Sequence, residues 1–218
     1  MMTTVVVCAG GPKNELCSFS SFQQQQDVVF IGADRGALYL IEQGITPHAI
    51  VGDFDSLTDE EYRQVMAQTN DQQRFQEEKN ETDTDLALLK AYTFAPQEII
   101  LTGVTGGRLD HYEAAVRSIY RLQKEHPQIE LKIINHTNML QFLLPGTHTI
   151  YADDRYRYLS FFAHEEPIQG VTLRQVKYET TNEEISLGTS RFTSNEIIGT
   201  SGSISFSQGI CLMIRSID

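Results

Sequence analysis

The feature that most constrains this chain is a change of texture near residue 145. Before it, short apolar runs that end in glycine or polar residues alternate with longer segments of helical spacing. TTVVVCAG (3–10), DVVFIGAD (27–34), HAIVGDFD (48–55), QEIILTGV (97–104) and ELKIINHT (130–137) read as strands. GALYLIEQG (36–44), TDEEYRQVMAQ (58–68), TDTDLALLKAYTF (82–94) and LDHYEAAVRSIYRLQKE (109–125) read as helices, the last with Ala115, Ile119 and Leu122 on one face. Such alternation predicts an α/β unit, residues 1–145: a Rossmann-like, mostly parallel sheet with helices on both faces. In that architecture ligands sit beyond the carboxyl ends of the strands.

After LLPGTH the helical period disappears. TIYADDRYRYLSFFA, VTLRQVKYE, EISLGTSRF and SGSISFSQGICLMIR are β-like runs broken by Gly, Asn and Pro, which predicts a smaller all-β unit, a sandwich or small barrel, over residues 146–218. The alternation through Ile204 and Phe206 followed by SQG predicts a hairpin.

Acidic residues recur at the predicted strand ends of the first unit: Asp34, Asp53 and Asp55, Asp83 and Asp85, and Asp110. Positions i and i+2 of an extended chain point the same way, so Asp53 and Asp55 would present like charges on one face. That arrangement is unfavourable without a cation between them. The other reading is a solvated turn capped by Asp, with Ser56 or Thr58 capping the next helix. Several such sites on one rim favour a metal, and hard carboxylate oxygens suit Mg²⁺ completed by water and substrate phosphates. Formal charge points the same way: at −12 the chain disfavours nucleic acid and anionic membranes, so a phosphate-bearing ligand needs metal or local cations.

Glycine-rich CAGGP and TGVTGGRLDH follow two of the strands, and backbone N–H groups there can cradle phosphate. Neither is a P-loop or a dinucleotide fingerprint, which argues against an oxidoreductase. Arg108 reads as a phosphate clamp at a helix start. Arg35 reads equally as a phosphate contact or a structural ion pair, and His111 as a helix-start residue packed on the sheet or a general base. Thr82 caps its helix and leaves Asp83 near the positive helix start. Three cysteines, Cys8, Cys17 and Cys211, have no metal-site spacing. The start MMTTVVVCAGG lacks a basic segment followed by a long apolar one, and no run is long enough to span a bilayer, so the expectation is a cytoplasmic protein.

In order along the chain, ADRGA (33–37), GDFDS (52–56), KNETD (79–83) and GGRLDH (106–111) resemble the signatures of the thiamine pyrophosphokinase family, with TSNE supplying a Ser194–Asn195 pair. The match departs from the family pattern at Arg35, usually glycine, and at Asn80, usually aspartate. The resemblance implies an α/β catalytic domain, a β-sandwich that holds the vitamin, and a homodimer with active sites at the subunit interface. It implies transfer of the β,γ-diphosphate of ATP to thiamine, giving thiamine diphosphate and AMP. Asp53, Asp55 and Asp83 are then expected to hold Mg²⁺, with Arg108 and Asp110 completing the catalytic set. Asp34, Arg35, Gly106, Gly107, His111, Ser194 and Asn195 are expected to contact substrates, the last two the aminopyrimidine. On the residues alone, Ser194 and Asn195 read as a turn. Two rivals remain: an Mg-dependent transferase with another alcohol acceptor, and a non-catalytic nucleotide or thiamine sensor.

Overall fold

The computed structural model describes residues 3–69, 72–74 and 82–218. Lys79, Asn80 and Glu81 of KNETD, including the Asn80 departure, lie outside the described residues. The chain forms two compact units, Met1–His136 and Thr137–Asp218.

In the first unit six strands, β1 (Thr4–Cys8), β2 (Val28–Ala33), β3 (Ala49–Gly52), β4 (Gln72–Arg74), β5 (Glu98–Thr102) and β6 (Glu130–Ile134), run parallel in the order β4-β3-β2-β1-β5-β6. Every residue of β1 is buried, which requires cover on both faces of the sheet. The cover comes from α2 (Arg35–Glu42), which touches β1, β2 and α3 (Asp59–Ala67), and from α4 (Asp83–Tyr92), which touches β1, β2, β3 and α5 (Leu109–Glu125). A single turn, α1 (Ser20–Gln23), precedes β2.

Helix starts follow their local chemistry. Thr58 opens α3 and Thr82 opens α4 with capping boxes closed by Glu61 and Asp85, so two otherwise unpaired backbone donors are satisfied at each end. Helix α5 buries Ala115, Val116, Ile119 and Leu122, the stripe its spacing predicts. The short strand β4 has no counterpart in the sequence pattern; QQR is polar and lies at the sheet edge, where burial is not demanded.

From β1 the chain builds outward through β2, β3 and β4, then returns to the other side of β1 for β5 and β6. Strand order therefore reverses between β1 and β5, and a crevice opens beyond their carboxyl ends. Glycine is required here: the Gly11 N–H donates to the Gly103 carbonyl at 2.8 Å, and a Cβ at Gly11 would lie 2.3 Å from that oxygen. The two loops leave the sheet in contact.

The second unit holds two antiparallel sheets. One orders β7 (Asn138–Leu143), β13 (Cys211–Ser216) and β9 (Tyr158–Ala163) as β7-β13-β9; the other orders β11 (Thr180–Ile185), β10 (Ile168–Arg174), β12 (Ser201–Phe206) and β8 (Gly146–Tyr151) as β11-β10-β12-β8. The division falls earlier in the chain than residue 145, because β7 pairs with β13 from Asn138 to Leu143. The expected SQG hairpin is not formed. Strand β12 pairs with β8 and β10, whereas β13 pairs with β7 and β9, so residues 207–210 carry the chain from one sheet to the other. Alternate residues of β12 and β13 are buried, as a sandwich requires. Among the described residues no helix is long and apolar enough to cross a membrane.

Candidate functional site

The acidic site is built on a turn. Phe54, between the two aspartates, takes φ 63°, a region bulky residues disfavour by roughly 1–3 kcal/mol. Its ring is buried with Ala37, Leu38, Ile41, Ile50 and Val65. That burial stabilises by about 1.5–3 kcal/mol, the same size as the strain, so local hydrogen bonds decide the conformation. The Asp55 N–H donates to Asp53 Oδ1 at 3.0 Å, closing the turn. The extended-chain geometry expected for the pair is therefore absent. The hydrophobic residue between the aspartates points into the core, and both carboxylates stay at the rim.

Asp34, at the start of α2, faces them. Its backbone also has positive φ, 50°, and its N–H donates to the Val51 carbonyl. Its Oδ2 accepts from Ser56 Oγ at 2.9 Å. Its Oδ1 is buried and has no hydrogen-bond partner among the described residues. One oxygen each from Asp34, Asp53 and Asp55 lies within 4.8 Å of the others. Burial raises the Asp34 carboxyl above its ordinary value, with the Asp53 and Asp55 charges adding, against lowering hydrogen bonds from Ser56 and the Arg35 backbone. Asp83, the first residue of α4, is pushed up to about 6, first by burial and then by the charges of Asp53, Asp34 and Asp55. Four carboxyl groups thus converge where a cation would relieve their repulsion. Asp85 does not join them: it closes the Thr82 cap and accepts from Ser118 Oγ at 2.5 Å.

A cleft of about 680 Å³ runs from these groups to the glycine loops, lined by Asp34, Asp53, Asp83, Gly11, Gly107 and Arg108 among others. His111 also lines it and is exposed in the first turn of α5, not packed on the sheet. Gly106 lies against the Glu15 side chain. Arg108 precedes α5 and folds back on Asp110, with Nε–Oδ1 3.1 Å and Nη2–Oδ2 2.5 Å. The guanidinium holds the exposed Asp110 carboxyl below its usual range. Arg35 donates to the Ser56 carbonyl and pairs with Glu61 at 3.2 Å.

Two participants escaped the sequence reading. Tyr39 reaches the cleft from α2, one turn after Arg35; only its helical spacing carried a signal. Glu61 anchors Arg35 across 26 residues, although TDEE is itself a legible capping-box signature.

In the second unit Ser194 is exposed at φ 55°, and its N–H donates to Ser160 Oγ at 3.0 Å. Asn195 is buried; its Oδ1 accepts from the Tyr178 and Glu196 N–H groups and its Nδ2 donates to the Tyr178 carbonyl. Its amide is engaged with backbone, which holds the turn that displays Ser194.

Residues 20–131 match the family described as thiamin pyrophosphokinase, catalytic domain, and residues 147–211 the vitamin B1 binding domain of the same family. The chain is 37% identical over 217 residues to a thiamine pyrophosphokinase of Bacillus subtilis (strain 168), covering all of both sequences. It is similar to the crystal structure of the Bacillus subtilis thiamine pyrophosphokinase, with TM-score 0.89, 37% identity and coverage of 99% of this chain and 100% of that one. The thiamin pyrophosphokinase from Geobacillus thermodenitrificans gives TM-score 0.88 at 37% identity, over 99% and 98% of the two chains. The enzyme from Candida albicans shares the fold at 16% identity, with TM-score 0.80 over 99% of this chain and 90% of that one. With both domains matched and the full length shared with a relative, the chain belongs to the thiamin pyrophosphokinase family.

Proposed function

We propose that this chain transfers the β,γ-diphosphate of ATP to the hydroxyethyl group of thiamine, giving thiamine diphosphate and AMP, as a cytoplasmic homodimer. The observation that carries the reading is the meeting of Asp34, Asp53 and Asp55 at the mouth of a glycine-lined cleft, inside the segment matched by the catalytic family domain. The donor set fits Mg²⁺: all three groups offer hard carboxylate oxygens, and Asp34 carries a buried oxygen, Oδ1, with no partner among the described residues. One oxygen from each lies within 4.8 Å of the others, near enough for one ion to be shared among them. Bound there, Mg²⁺ would neutralise triphosphate charge and favour in-line displacement at the β-phosphorus.

The chain's own residues do the rest. Asp34, Asp53 and Asp55 would hold the ion, with Asp83, which the resemblance implied as a ligand in place of Asp34, at its margin. Gly11 and Gly107 let the phosphates approach backbone. Arg108 exchanges Asp110 for the transferred phosphoryl oxygens, where a planar fork matches two acceptors at once. The thiamine hydroxyl oxygen bonds to the β-phosphorus as the bond to the α–β bridging oxygen breaks and AMP departs. Asp83, which lines the cleft beside the ligand carboxylates, would accept the hydroxyl proton, while Asp110 is held ionised by Arg108. Ser194, displayed by the Asn195-braced turn, contacts the aminopyrimidine. Product analysis with ATP, Mg²⁺ and thiamine tests the reading: thiamine diphosphate and AMP should form in equal amounts and stop with EDTA. Asp53→Ala should lower turnover by on the order of 10²–10³-fold with circular dichroism unchanged. A folded protein that makes neither product overturns it, and sedimentation velocity tests the dimer.

A further inference from the structure

Arg35 stands where the resembled family usually has glycine, and its side chain points along the acidic turn. We propose that Arg35 is a positioning residue that holds the Asp53–Asp55 turn at the distance from Asp34 that a divalent cation requires. The proposal rests on the reading of these carboxylates as a metal site. Asp34 and Arg35 are consecutive, and between them they engage the hydroxyl and the carbonyl of one residue: Asp34 Oδ2 accepts from Ser56 Oγ, and the Arg35 guanidinium donates to the Ser56 carbonyl. Ser56 follows Asp55 directly, so gripping it from two sides fixes the turn against the start of α2.

The other arm of the guanidinium reaches Glu61 Oε1 at 3.2 Å, with both side chains 29% exposed. Glu61 in turn accepts the Thr58 N–H at 2.8 Å through its second oxygen. One planar cation therefore joins the start of α2, the acidic turn and the first turn of α3. At its base, a Cβ on residue 10 would lie 3.1 Å from Arg35 Cβ, so glycine there lets the first glycine loop pass close beside the stem. An arginine suits this task and a lysine does not, because only the fork offers two fixed directions of donation.

Charge and position predict opposite signs. As a bare positive charge, Arg35 would repel an incoming cation, and its removal would tighten metal binding. As a clamp on the groups that carry the ligands, its removal loosens metal binding, by roughly 10–100-fold for partners of this kind.

The test is a Mn²⁺ titration of the full-length protein without nucleotide, followed by the electron paramagnetic resonance of the free ion. It is paired with the Mg²⁺ dependence of turnover. Wild type should bind Mn²⁺ and Asp53→Asn should not. Arg35→Met should bind about tenfold more weakly, raising the Mg²⁺ needed for half-maximal rate more than it lowers kcat at saturating Mg²⁺. Arg35→Lys should recover part of the loss. Unchanged or tighter Mn²⁺ binding by Arg35→Met overturns the clamp, as does full recovery with lysine. If Arg35→Met fails to fold by circular dichroism, Glu61→Gln is measured instead, since glutamine keeps the helix cap but not the ion pair. It should weaken Mn²⁺ binding in the same direction, and unchanged binding overturns the proposal. No Mn²⁺ binding by wild type overturns the metal reading itself, which separates the two failures.

Discussion

An acidic turn and the Arg108 loop border the same cleft, and they are held in different ways. The acidic loop is fixed from three directions: Phe54 enters the core, Ser56 is tied to Asp34 and Arg35, and Asp53 closes its own turn. The Arg108 loop is held at its charged end by a pair two residues apart, with side chains 69% and 63% exposed. Exposed local pairs are weak and screened by salt. A metal ion demands ligands within tenths of an ångström, whereas a phosphate chain must enter and leave. The difference teaches that one wall of the site is built in advance and the other is left to be rearranged by substrate.

That contrast can be broken from its rigid side first. Phe54→Ala should cost about 3–5 kcal/mol of stability in urea denaturation and weaken Mg²⁺ dependence at the same time, because one side chain serves core and turn. A loss of stability with unchanged metal dependence would uncouple the two. On the adjustable side, Arg108→Lys should lower kcat/KM for ATP by roughly tenfold, the equivalent of one charge-assisted hydrogen bond. Asp110→Ala should leave ATP use unchanged or improve it slightly, since it only releases Arg108; a large loss would give Asp110 a chemical task of its own. The smallest effect concerns pH. The Asp83 carboxyl, raised from 3.8 to about 6 when folded, contributes stability that is present below pH 4 and lost as pH rises through 6. In EDTA the urea midpoint of wild type should therefore fall relative to Asp83→Asn between pH 4.5 and 7.5, and Mg²⁺ should offset the fall.

Much of this was legible because it is local. Period and caps placed α3, α4 and α5 within two residues of their ends, and the parallel sheet brings Asp34, Asp53, Asp55 and Asp83 to one rim. What escaped depends on partners distant in sequence. SQG has hairpin chemistry, yet its flanking strands bond to β8 and β10 on one side and to β7 and β9 on the other. Arg35 finds its role only when Glu61 is folded beside it. Asn195 resembles a ligand contact until Tyr178 claims its amide. The aspartate pair was recognised for its charge, but the phenylalanine between them, which sets their direction, carried no signal beyond an apolar letter in a polar loop.

The burial of Phe54 has a bearing on how this enzyme fails when heated. A catalytic loop tethered only by surface contacts frays well below the temperature at which its domain melts, and activity disappears from an otherwise intact protein. Here the turn cannot lift away without exposing an aromatic ring and opening the space shared with Val65 and Ile50. Loss of the acidic turn should therefore coincide with unfolding of the first unit's core, and a bound ion that selects the folded turn should raise the temperature of both.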